Sequence, residues 1–420
     1  MSNRLNHNGC DVLMLGFDYE LRKRGFAGNS CQIVMELSSA IDPAQLEKRV
    51  GELVQQFPLL CSRPGRGLNL KPRWKPTRTR PRVRIHNDAP DLAQKLFNEP
   101  LNIHRGELIR FDLCGQKLFF TWTHALMDAK SAEYFLALVG DSKNPVPEPG
   151  EDWYAQRATP VGGLRGRGQQ AWRELRRLDE FQKALPVSLS TQRPPVSPTL
   201  KYRVVAFSRD DSVRIRANAS RLCGFLGDTN FHFAVTLFEL HQLHERSTRP
   251  SASYVMPIPV GLRPKGARGP LFSNQITMML HQFLPEQLGD LEQTIGAVKS
   301  RNKEFLRDEH INPGIALGQM FRGLPMPIYT RMIKHELRGE ICSLFFGETA
   351  TVDSALQTFL GANIEKLFHI PAVTVPPGIG VVFYRFRDQL HFTLIHADGT
   401  LTDAEATDFA ARMRERLLNP

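Results

Sequence analysis

Thr121-Trp122-Thr123-His124-Ala125-Leu126-Met127-Asp128-Ala129-Lys130-Ser131-Ala132 is the stretch on which the reading of this chain turns. Upstream of it, Ile109, Phe111 and Leu113 alternate toward one side, Gly115-Gln116 supplies a turn, and Phe120, Trp122 and His124 share one face of a second strand. Downstream, Ala132, Phe135, Leu136 and Val139 keep helical spacing until Gly140 ends the pattern. His124 therefore stands at a strand-to-helix junction, a rigid place from which to aim a side chain. Imidazole, with an ordinary pKa of ~6.5, takes a proton near neutral pH. Asp128, four positions on, has two readings that spacing leaves open: it braces the turn that presents the histidine, or it caps the helix that follows.

Working outward, Cys31 to Leu37 reads as a strand, and Asp42-Pro43 as an N-cap followed by proline at the first helical position. Leu46, Val50, Leu53, Val54 and Phe57 then continue at helical spacing up to Pro58. From Asp141 to about Leu200 prolines frame a glycine- and arginine-rich segment, expected as the crossover between two domains. Within it Trp172, Leu175, Leu178, Phe181 and Leu185 mark one face of a basic helix, expected to pack on its own protein, with peripheral membrane contact as the other use of such a face. Strands are predicted at Tyr202–Phe207, Tyr254–Val260, Ile276–Leu280, Ile341–Phe346, Val381–Phe386 and Leu390–Ile395, and helices at Phe231–His244 and Asp403–Leu418. The fold class is α/β (α+β), divided into residues 1–185 and 200–420.

The length of 420 residues exceeds what one core usually holds, and 41% apolar with 23% charged residues describes an ordinary globular chain. No run approaches the ~18 apolar residues of a spanning helix, and Val12–Phe17 is too short for a secretory core, so a cytoplasmic location is expected. Cys10, Cys31, Cys61, Cys114, Cys223 and Cys342 form no Cys-x-x-Cys pair, which points to neither zinc nor a disulfide framework. The net charge of +11 is uneven: Lys71, Arg73, Lys75, Arg78, Arg80, Arg82 and Arg84 follow one another with no acid between them. Either this is a solvated sheet edge or Arg78, Arg80 and Arg82 dock a phosphate-bearing or acidic partner. With only Trp74 among those bases, a stacking surface for nucleic acid is not expected.

Several mechanisms lack their spacing. There is no Gly-x-Ser-x-Gly, no His-Glu-x-x-His and no phosphate-binding loop ending in lysine. Gly166-Arg167-Gly168 matches a relaxed dinucleotide pattern, but no predicted strand leads into it, and it is read as linker. His241 and His244 without a third ligand are read as a polar helix face rather than a metal site.

The run around His124 resembles the His-His-x-x-x-Asp-Gly motif of nonribosomal peptide condensation domains, wax ester synthases, polyketide-associated acyltransferases and the wider chloramphenicol acetyltransferase-like superfamily. Phe57-Pro58-Leu59-Leu60, and Pro257-Ile258-Pro259-Val260-Gly261-Leu262-Arg263 followed by Phe272-Ser273-Asn274, are similar to further segments of those proteins. The resemblance implies two similar halves with a tunnel between them. A thioester of coenzyme A or an acyl carrier protein would enter from one side and an alcohol or amine from the other. It implies His124 as general base, Asp128 as a structural residue and Arg263 as the partner of Asp128, with no permanently bound cofactor. Three departures accompany it: Thr123 replaces the first motif histidine, Ala129 the glycine, and no Asp-Phe-Gly-Trp-Gly segment is present. Thr123 and Ala129 also support the alternative of an inactive relative acting as a binding or scaffold protein.

Overall fold

The computed structural model describes residues 6–67, 70–141, 163–225, 227–246, 250–264, 267, 269–307 and 311–420. Helix α1 (Gly9–Lys23) leads to β1 (Ser30–Leu37), α2 (Pro43–Gln56), a hairpin of β2 (Ser62–Arg66) and β3 (Pro72–Pro76), β4 (Arg82–Ile85), α3 (Leu92–Phe97), β5 (Ile109–Cys114), β6 (Lys117–Thr123) and α4 (Ala129–Gly140). Then come α5 (Leu164–Asp179), a short α6 (Leu189–Gln192), β7 (Leu200–Ala206), α7 (Arg209–Cys223), α8 (Asp228–Glu245), β8 (Tyr254–Gly261) and β9 (Ile276–Phe283). The chain closes through α9 (Leu291–Arg307), α10 (Ile311–Phe321), α11 (Met326–Ile333), β10 (Phe345–Thr351), β11 (Thr358–Phe359), β12 (Ala362–Ile370), β13 (Ile379–Phe386), β14 (Gln389–Ala397) and α12 (Asp403–Leu418).

Local chemistry sets the boundaries. The Asp42 side chain accepts from Ala44 N with proline at the first helical position of α2, and Thr402 with Glu405 forms a capping box at α12. Arg387 and Asp388 both take the left-handed conformation in the two-residue turn between β13 and β14, as the twist of a tight hairpin demands. Two mixed sheets result, one ordered β11-β12-β1-β6-β5-β4 and the other β10-β13-β14-β7, with β8-β9 as a separate pair. Helices α2 and α4 cover the first sheet through Leu46, Leu53, Phe135 and Val139, and α7, α8 and α12 cover the second through Ile215, Phe231, Leu237 and Phe409.

The structure departs from the sequence reading at particular places. Strand β12, from the second half, pairs antiparallel with β1 in the centre of the first sheet, so a division at residues 185–200 does not divide the sheets. Pairing across the whole chain is non-local and leaves no local pattern. The strand expected from Ile341 starts at Phe345 instead. Gly166-Arg167-Gly168 lies within α5, where helical backbone leaves no phosphate cradle. Trp172, expected on the packed face of α5, is 58% exposed under the guanidinium of Arg176, while Ala171, Glu174 and Phe181 are buried. His241 and His244 are buried rather than a polar face, each edge-on to Tyr254. Prolines 145, 147, 149 and 160 of the expected crossover lie outside the described residues. Among the described residues no helix is long and apolar enough to cross a membrane, and all six cysteines are free.

Candidate active site

The turn that carries His124 is braced from several sides. Trp122 is stacked on Phe120 and buried, and its indole Nε1 donates to the carbonyl of Met127 at 3.0 Å, closing the chain between β6 and α4. Leu126 N donates to Thr123 O, and His124 N donates to Asn29 O at 3.0 Å, fastening the loop to the start of β1. These bonds leave the His124 backbone little freedom, so its ring direction is set by the fold.

The imidazole is held by Asn274. Its Nδ1 lies 3.0 Å from Asn274 Oδ1, while Asn274 Nδ2 donates to the His124 carbonyl and to Asp11 Oδ1, each at 2.9 Å. The His124 carbonyl can only accept, which fixes the amide orientation and makes Oδ1 an acceptor. Nδ1 of His124 must then carry the hydrogen, and Nε2 keeps its lone pair in the neutral ring. Among the described residues no group hydrogen-bonds that nitrogen. Burial pushes the His124 pKa below the usual histidine value, against upward pulls from its own carbonyl, Asp128 and Asn274. The ring is thus neutral at physiological pH.

Asp11 completes the support. It accepts from Asn274 N and Nδ2 through one oxygen and from Asn8 N through the other, and Asp11 N donates to Asn8 Oδ1, forming the cap of α1. Burial raises its pKa to about 7 against those donors. Asn8 also donates to Ser273 Oγ and Asn274 O, so the first helix and the segment before β9 are joined directly behind the histidine.

Asp128 serves both of its sequence readings at once. Its Oδ1 caps α4 by accepting from Ser131 N at 3.0 Å. Gln275 N donates to Oδ2 at 2.9 Å, and Arg263 Nη1 reaches both oxygens at 2.9 and 2.8 Å. Arg263 Nη2 continues to Ser131 Oγ and Pro270 O. The aspartate is a buried knot joining the two halves, and its oxygens are occupied by partners other than the imidazole.

His124, Asp128, Ala129 and Arg263 line one cavity of about 460 Å³. The Ala129 methyl occupies part of that wall, and Thr123 Oγ1 is buried with no hydrogen-bond partner among the described residues. Further polar lining comes from Glu348, Thr349 and His369, of which Glu348 Oε2 and Thr349 Oγ1 likewise lack a partner. None of Arg78, Arg80 and Arg82 lines the cavity; all three are exposed at or before the edge strand β4. Their neighbour Arg84 is half-buried and committed to Asp112 and Glu99.

In the sequence Asn274 stands out only as the end of the similar segment Phe272-Ser273-Asn274, and nothing there singles out Asp11 as its partner. The Asn8-x-x-Asp11 spacing before an apolar run is a capping signal that marks α1, but the approach of Asp11 to residue 274 is a tertiary fact.

No protein-family profile matches the chain, and no curated protein matches it by sequence. Solved structures do. The trichothecene 15-O-acetyltransferase TRI3 of Fusarium sporotrichioides superposes with a TM-score of 0.71 at 12% identity, covering 98% of this chain and 95% of that one. The fold is that of the chloramphenicol acetyltransferase-like acyltransferases. The first condensation domain of the calcium-dependent antibiotic synthetase gives 0.71 at 13% identity, over 99% and 96% of the two chains. Polyketide synthase associated protein 5 of Mycobacterium tuberculosis gives 0.65 at 14%, over 96% of each. Within this fold the two-lobed arrangement expected from the sequence is present, and the first lobe takes β11 and β12 from the end of the chain.

Proposed function

We propose that the chain transfers an acyl group from a thioester of coenzyme A or an acyl carrier protein to a hydroxyl or amine, with His124 as general base. The observation that carries this reading is the Asn274 amide, whose fixed orientation leaves His124 Nε2 as a free acceptor beside the cavity. Nε2 takes the acceptor's proton as its oxygen or nitrogen attacks the thioester carbonyl. The thiolate leaves when the tetrahedral adduct collapses, and the imidazolium returns the proton to it. Two substrates bound in one cavity need no acyl-enzyme intermediate. The exposed guanidinium groups of Arg78, Arg80 and Arg82 are retained as a docking surface for a donor's phosphates, acting outside the cavity.

Thiol release from a panel of acyl-CoA and acyl-carrier thioesters, each offered alcohols and amines, tests the reading. Acceptor-dependent release with intersecting initial-rate lines is expected. Parallel lines would indicate a ping-pong acyl-enzyme and remove the direct-transfer mechanism.

A further inference from the structure

A second cavity of about 290 Å³ lies between α1, α5, α10, α11 and β9. It shares four wall residues with the cavity of His124: Phe17, Ile276, Met278 and Phe345. Phe17 and Phe345 meet edge to face with ring centroids 5.4 Å apart. The alternation of β9 explains the continuity. Ile276, Met278 and Leu280 are partly exposed while the residues between them are buried, so one face of a single strand runs from the first cavity into the second.

The remaining walls are largely aliphatic and aromatic, with Leu175 and Leu178 from α5 and Met332 from α11. The carboxylate of Glu174 at this wall is matched by the Arg177 guanidinium at 2.6 Å. The cavity is a half-open cleft whose lining is mostly apolar, and apolar surface left facing water is covered favourably by a ligand of the same character. Helix α10 helps to keep it open: Gly314 lines the cavity, and a Cβ there would meet only Thr277 Oγ1, at 3.6 Å.

We infer that this second cavity holds the alkyl chain of the acyl donor, so that the natural donor carries a medium-length or longer unbranched chain, not acetyl. The inference rests on the acyl-transfer reading. With the thioester carbonyl beside His124, the chain runs along β9 past Ile276 and Met278, alongside the paired rings of Phe17 and Phe345, into the space under α5. Met278 suits this passage, being unbranched and readily repacked.

Pantetheine thioethers test the cavity without turnover, because a general base does not cleave them. In calorimetric titrations of the full chain, S-octylpantetheine should bind at least tenfold more tightly than S-methylpantetheine. Gly314→Phe, which fills the cavity from α10, should erase the difference, and Met332→Trp should do so from the opposite wall. Melting temperatures verify that both variants fold. Equal binding of the two thioethers to the unaltered protein, or an octyl preference that survives in both folded variants, would overturn the inference. The thioether comparison with His124→Ala separates the two proposals. An octyl preference in a chain whose turnover ignores His124 would sink the mechanism and keep the cavity, while His124-dependent turnover without a length preference would do the reverse.

Discussion

Asn274 spans the gap between His124 and Asp11, giving its oxygen to the imidazole Nδ1 at 3.0 Å and its nitrogen to the carboxylate at 2.9 Å. The arrangement sets which ring nitrogen is free without placing a charge against the ring. Asn274→Ala should therefore reduce kcat by about 10- to 100-fold, the scale on which residues that orient a reactive group act, with little change in KM. Because Asn274 pulls the His124 pKa upward, the acid limb of the pH profile should move to lower pH in the variant. A pH-rate profile identical in shape and height to that of the unaltered enzyme would contradict the tautomer argument.

Asp128 and Arg263 form the other bond between the halves. With Asp128 gone, the half-buried Arg263 guanidinium would be left against Ser131 and Pro270 without its counter-charge, and Gln275 N and Ser131 N would lose their acceptor. Asp128→Ala should lower stability by about 3 to 5 kcal/mol and take activity with it. A loss of about 1 kcal/mol with activity retained is what a helix cap alone would give, and chemical denaturation distinguishes the two.

The response to acid follows from the buried histidines. Burial brings the pKa of His7 down to about 3 and those of His244 and His281 to about 4. The unfolded chain takes up these protons below about 6.5, whereas the folded chain refuses them until the lower values. The stability they provide is complete above about 6.5 and drains as pH falls toward 4. Asp11, raised to about 7, runs the other way over much of the same window, and three groups outweigh one. The melting temperature should thus be lower at pH 5 than at pH 7. A higher value at pH 5 would contradict this.

What could be read in the sequence followed local rules. Asp42-Pro43 marked α2, the alternation through Phe120 and Trp122 gave β6, and Asp403 to Leu418 gave α12 to the residue. The histidine was placed by the same alternation, and its aspartate and arginine by resemblance. Strand β12 has no clean period-two signal because a register shift puts two exposed residues, Glu365 and Lys366, between buried Ile364 and Leu367, and its value lies in pairing with a strand some 330 positions away. The Asn274 bridge escaped for the same reason: nothing near residue 274 signals that residue 11 will hold its amide. Helix α1 shows in the sequence only as the short apolar run Val12–Phe17, although the Asn8-x-x-Asp11 cap before it is legible.

The measurement that bears most directly on the central claim is the comparison of His124→Ala with the unaltered chain in kcat, donor affinity and melting temperature. Removal of a general base costs about 10² to 10⁴ in rate, and the bonds that hold the loop, from Trp122 to Met127 and from His124 N to Asn29, do not involve the imidazole. The predicted result is a fall in kcat of that size, with donor affinity and melting temperature nearly unchanged. A His124→Ala protein that melts normally and still turns over the thioester at the original rate would contradict the account and leave a binding or scaffold protein as the reading.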